Sequence, residues 1–254
     1  EALGFDEKKP ARYDGKTPPR PSAPPVQRLR LHYSRTGSLK YLSHLDLIKI
    51  LQMACLRAGL NPAYSEGFHP TPKMQFLPPL PLGFQSLDDI FDVQVTSRID
   101  AEDAARRMNA ALPMEMRIHR ALDRPLYGAS PEVCLRRSEF EIELPADLLD
   151  EHDLSIERFE EAFAGFRRAE TVSFERPAKR SRAARMQDLK KGVLELDDPV
   201  RKEHRGIGIR MLISHDPDHY ADPLTALGAI VGKSFSFADG ADAIRTRIVL
   251  QDPE

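Results

Sequence analysis

The chain has 254 residues, 41% of them hydrophobic and 30% charged, with a formal net charge of −2. This composition suits one large soluble domain or two of ordinary size, each with a proper core. No apolar run approaches the roughly 18 residues needed to cross a bilayer, so a transmembrane segment is excluded, and the presence of only two distant cysteines suits a reducing cytoplasm.

Residues 1–27 hold six prolines, including the run Pro18-Pro19-Arg20-Pro21, and few large apolar side chains. Such a segment buries too little surface to offset ordering, so it reads as an extended linker or tail of a longer fusion. Order begins at Arg28. Arg28–Tyr33 alternates as a strand. Ser43 caps a helix with Asp46 at the capping-box position and Leu42 and Leu47 as the staple, and Gly59 ends it. Asn61–Leu77 reads as a strand broken by a Gly67–Pro72 turn, and Ile90–Val95 as another strand. Asp100 opens a second helix to about Leu112, and Met116–His119 starts a closing strand. The order is β-α-β-β-α-β, a ferredoxin-like pattern.

A second pass repeats it. Glu139–Leu144 is a strand, Ser155–Arg168 a helix, Thr171–Phe174 and Val193–Leu196 short strands, Gly208–Ser214 a strand, Pro223–Val231 a helix and Arg245–Leu250 the last strand. The expected fold is α+β. Two tandem ferredoxin-like halves with separate antiparallel sheets span 28–122 and 133–254, the second carrying a basic insertion at 175–192.

Four groups of residues are candidates for a site. Tyr33, Arg35, Thr36, Gly37, Ser38 and Lys40 read as a polar, basic loop after the first strand. Ser43 and His44 sit at a helix start, where free N–H groups favour anions; capping explains Ser43 but does not require His44. The segment Tyr64–Lys73 presents Tyr64, Ser65, His69 and Lys73 on a turn stiffened by Pro70 and Pro72, with an aromatic to stack a base and a lysine to meet phosphate. Finally Arg176, Lys179, Arg180, Arg182, Arg185, Lys190 and Lys191 face a single acid, Asp188. Cations grouped this way neutralise phosphates together, although most charge runs are solvated surface. No metal site is expected. His44 and His69 lack further ligands at recognisable spacing, and Pro217 lies between His215 and His219. No nucleophile elbow, Walker loop or Rossmann fingerprint is present.

The two motifs Tyr41-Leu42-Ser43-His44-Leu45-Asp46 and Ala63-Tyr64-Ser65-Glu66-Gly67-Phe68-His69-Pro70-Thr71-Pro72-Lys73 resemble the radical-SAM-linked domain, a bacterial family found beside or fused C-terminal to radical SAM enzymes. The likeness covers about Arg28 to Ser97. It implies a radical SAM enzyme as partner, with the iron–sulfur cluster and S-adenosylmethionine held there. This chain has only Cys55 and Cys134, too few for a cluster that needs three or four thiolates. Two distant cysteines also argue against a disulfide framework. The expected role is a non-catalytic recognition module that presents structured RNA, tRNA or rRNA, to that partner. Tandem ferredoxin-like halves also resemble metal-independent CRISPR-repeat endoribonucleases. In that alternative His44, His69, Tyr64 and Lys73 would act as acid, base and charge stabiliser, although the Gly-rich C-terminal loop of those enzymes is not seen. A further alternative is a protein- or peptide-binding domain.

Overall fold

The structure is a computed structural model, and it describes residues 23–66, 68–176 and 185–251. Most of the proline-rich segment, Gly67, and the basic residues Lys179, Arg180 and Arg182 therefore lie outside the described residues. The first half comprises β1 (Gln27–Arg35), α1 (His44–Arg57), β2 (Met74–Phe76), β3 (Gln85–Val95), α2 (Ala101–Ala111) and β4 (Met116–Arg124). The second half opens with α3 (Pro131–Cys134), β5 (Leu135–Leu144), α4 (Ala146–Glu151) and α5 (Ile156–Arg168). It continues with β6 (Ser173–Arg176), β7 (Arg185–Asp188), α6 (Leu189–Gly192), β8 (Val193–Leu196), β9 (Val200–Arg201), β10 (Ile207–Ser214), α7 (Pro223–Val231) and β11 (Asp242–Leu250).

The helix starts are local chemistry. Ser43 Oγ accepts from Asp46 N–H and donates to the Asp46 carboxylate, and Asp100, Ser155 and Asp222 each accept from the N–H three residues on. These side chains satisfy N–H groups that a helix leaves unpaired.

The expectation of two separate sheets is corrected. Nine strands form one mostly antiparallel sheet in the order β4-β1-β3-β11-β5-β10-β8, with β2 also on β3 and β9 also on β10. The cause lies in the shortness of β2. It pairs only with Phe91–Val93 of β3, and leaves the Gln85 end of that edge open. An open edge is a template for another strand. Here β11 fills it in parallel, Ile244 opposite Gln85 and Arg245 opposite Ser86. Asn61–Leu77, read as one interrupted strand, is reduced to β2 and two isolated bridges, Pro62 to Val95 and Tyr64 to Pro72.

Each half keeps its own core. In the first, Leu29, Leu31, Phe91 and Val93 meet Leu51 and Ala54 of α1 and Ala104 and Met108 of α2. In the second, Phe140, Ile142, Ile209 and Met211 meet Phe159 and Phe163 of α5 and Leu224 and Leu227 of α7. The opposite face of the first half is polar, as strand alternation demands. Asp92, Arg28 and Arg30 lie buried there; Arg28 Nε and Arg30 Nε each donate to the Asp92 carboxylate at 2.8 Å. The two guanidiniums have donors to spare, and these go to the carbonyls of Pro125, Gly128 and Ala129. The linker between the halves is thus pinned to that face.

Candidate functional site

Tyr33 and Arg35, expected in an exposed loop, belong to β1 and are 1% and 4% exposed. Burial, with Asp89 beside it, pushes the Tyr33 hydroxyl well above its ordinary pKa. Arg35 Nε lies 3.6 Å from Asp89, whose other oxygen holds Arg245 at 2.9 Å. Tyr33, Arg35, His44, Phe76 and Asp89 line one small cavity of about 20 Å³. It is too small for more than a water molecule. His44 is half-buried, its ring edge-on to Phe76 at 6.1 Å. In the turn before α1, Tyr41 is 63% exposed and Lys40 Nζ stands 5.5 Å from its ring centroid. Lys40 further meets Asp242 of β11 at 3.3 Å. Ser43 is exposed and engaged in capping.

The Tyr64–Lys73 segment folds back on itself. Ser65 N–H donates to Thr71 O, Thr71 N–H to Ser65 Oγ, and Lys73 N–H to Ala63 O. Phe68 and His69 stand out at its tip, Phe68 being 74% exposed. Ser65 and Lys73 line a cleft of about 330 Å³ with Thr71, Gln75, Asp92 and Gln94. That cleft shares no residue with the Tyr33–His44 cavity. Asp92 belongs to the polar face of the sheet, and Tyr33 and Phe91 to the helix-covered face. The candidate residues are therefore divided between the two faces of the sheet.

Within the basic segment, β6 and β7 form a two-stranded ribbon apart from the nine-stranded sheet, with Arg176 opposite Arg185. Lys190 is tied to the body: its Nζ donates to Phe166 O at 3.1 Å and sits 4.6 Å from that ring's centroid. Lys191 is exposed.

The polar face also holds a cluster that sequence reasoning missed. His32 Nδ1 lies 3.1 Å from Asp88 Oδ1, His119 Nε2 lies 3.7 Å from the same oxygen, and the two rings meet edge-on at 6.1 Å. Burial works against the charge on Asp88, yet hydrogen bonding to His32 and the backbone N–H of Ile248 holds its carboxyl below the usual range. Burial, with the neighbouring His32 and Arg120, pushes His119 down, against the pull of Asp88.

A family model described as "Uncharacterized protein conserved in bacteria (DUF2344)" matches residues 28–222. The chain belongs to this family. No curated protein matches it. Among solved structures, the crystal structure of a Cbf5-Nop10-Gar1 complex is similar at 10% identity, with a TM-score of 0.45; the match covers 87% of this chain. The chain spans 48% of that neighbour's length.

The DUF2344 match takes in every candidate residue from Tyr33 to Lys191, and His32, Asp88 and His119 besides. The histidine cluster leaves no spacing signal, since its members sit on three strands 56 and 31 residues apart. The one trace is His32 in an alternating strand, a polar residue on the face away from the core. The larger clefts also went unread. One of about 600 Å³ is lined by Glu141, Glu143, Lys202 and Arg210, and one of about 800 Å³ by Arg136, Arg137, His215 and Asp216. Among the described residues no helix is long and apolar enough to cross a membrane.

Proposed function

We propose that this DUF2344 chain is a recognition module for structured RNA, tRNA or rRNA, working with a radical SAM enzyme that carries the redox chemistry. In this reading the halves are two ferredoxin-like units, β4-β1-β3-β2 and β11-β5-β10-β8, joined edge to edge. The observation that carries the proposal is the ribbon β6–β7. It stands outside the main sheet, and the ten residues from Arg176 to Arg185 hold five cations and no acid. A two-stranded ribbon is marginally stable by itself; Phe174 anchors this one on the second core, and its cations serve contact with phosphates. Exposed Tyr41, Phe68 and His69 add stacking and hydrogen-bonding groups of the kind that hold unpaired bases.

The test is filter retention of bulk tRNA and rRNA in chelator across a salt series, with cleavage followed on gels. Neutralising Lys179, Arg180, Arg182 and Arg185 together should flatten the salt dependence. Each lost contact removes roughly 0.7–0.9 from the slope of log affinity against log salt. Tyr64→Ala or His69→Ala should weaken retention with little change of slope, because stacking releases few counterions. Cleavage of the RNA would replace this reading with an endoribonuclease. Absence of retention would point to a protein partner.

A further inference from the structure

We propose that His32, Asp88 and His119 bind one divalent first-row transition-metal ion of the zinc class. The inference is independent of RNA recognition.

The site is assembled by strand register. β1 lies between β3 and β4, with His32 opposite Ile90 and Arg120. Asp88 is two residues from Ile90 on the same face of β3, within diagonal reach of His32. On β4 the register slips at this point: His32 pairs with Arg120 but Tyr33 with Ile118, so His119 is the extra residue of a β-bulge. Bulges re-aim side chains, and this one brings the His119 ring beside His32.

The distances suit a metal. The three ligand atoms lie within 4.8 Å of one another, with His32 and His119 at 3.1 and 3.7 Å from Asp88 Oδ1. A tetrahedral ion bound at about 2.0–2.1 Å holds neighbouring ligand atoms roughly 3.3 Å apart. Two imidazoles and one carboxylate form a mixed set that suits zinc and its neighbours and leaves coordination positions open. The outer shell is present. Ile248 N–H donates to Asp88 Oδ2 at 3.2 Å and orients the carboxylate, while Arg245 Nε donates to the Asp88 backbone carbonyl at 3.1 Å. Arg245 is a buried cation beside Asp88, and Asp89 offsets its charge at 2.9 Å. Ile90, opposite His32, and Ile248, beside Asp88, belong to one small buried apolar cluster. The His119 side chain is 43% exposed, so the fourth position opens to solvent, where water or an oxygen ligand can enter.

The experiment uses the full chain without an affinity tag, stripped with chelator. Zn²⁺ is followed by calorimetry and Co²⁺ by its visible absorption, with folding checked by circular dichroism. One ion per chain is expected, with a tetrahedral Co²⁺ spectrum and no thiolate charge-transfer band, since no cysteine belongs to the cluster. His119→Ala, at the most exposed ligand, should keep its fold and lose at least about tenfold in affinity, as should His32→Ala. His204→Asn, on an exposed turn, serves as the control. Absence of saturable uptake, or uptake unchanged in His119→Ala, overturns the assignment.

Discussion

His215 sits with its Nε2 2.7 Å from Ser138 Oγ and its ring stacked on Tyr220 at 5.0 Å. Burial, helped by the charge of Arg245, pushes its pKa from 6.5 down to about 4. The unfolded chain therefore binds this proton more readily than the folded one. The resulting stabilisation is complete above about pH 6.5 and disappears as pH falls towards 4. Its size is on the order of 3 kcal/mol. His215→Gln cannot titrate. We expect the unfolding free energy of the natural chain to fall more steeply than the variant's between pH 7 and pH 4, measured by urea denaturation. Parallel curves would refute this assignment. Burial in the first core likewise pushes the Cys55 thiol up, to about 12, leaving it an inert core side chain.

Two helix glycines test how packing overrides propensity. Gly165, in α5, is exposed, and a Cβ added there meets nothing within 4 Å. Gly228, in α7, would place its Cβ 2.4 Å from the backbone oxygen of Lys233. The chain returns there because Gly232 takes a left-handed φ of +76° and the N–H groups of Gly232 and Lys233 both donate to Gly228 O. Alanine favours a helix over glycine by about 1 kcal/mol. Overpacking against backbone costs about 1–3 kcal/mol. Gly165→Ala should therefore stabilise the protein, and Gly228→Ala should destabilise it. Thermal unfolding of the two variants decides the point; shifts of the same sign would show that one effect governs both sites.

At the level of the whole molecule, the halves are held by the short β3–β11 pairing, by Arg245 with Asp89, and by the linker fixed under Arg28 and Arg30. Asp92 is central to the last of these, its carboxylate pairing with the buried guanidiniums of both Arg28 and Arg30. Removing one partner of a buried ionic group costs about 3–5 kcal/mol, because the remaining charge is stranded away from water. We expect Asp92→Asn to lose stability in that range in urea unfolding. The loss should reach both halves, read from the proton resonances of residues in each core. A change below about 1 kcal/mol, or one confined to the first half, would show that the linker contact does not join them.

The sequence alone determined the local elements. Ser43, Asp100 and Ser155 announce their helices because a cap acts within three residues, and β8 and α7 fall at the bounds that pattern and proline predict. It also determined where the cations concentrate. What it could not determine was anything set by pairing between distant strands. The single sheet depends on how much of the β3 edge β2 leaves open. The burial of Tyr33 and Arg35 depends on β1 extending to Arg35 between two neighbours. The meeting of His32, Asp88 and His119 depends on register and on one bulged residue. Strand registry is a relation between segments far apart in the chain, and a one-residue slip turns a side chain to the opposite face. Tertiary structure therefore decided which polar residues meet.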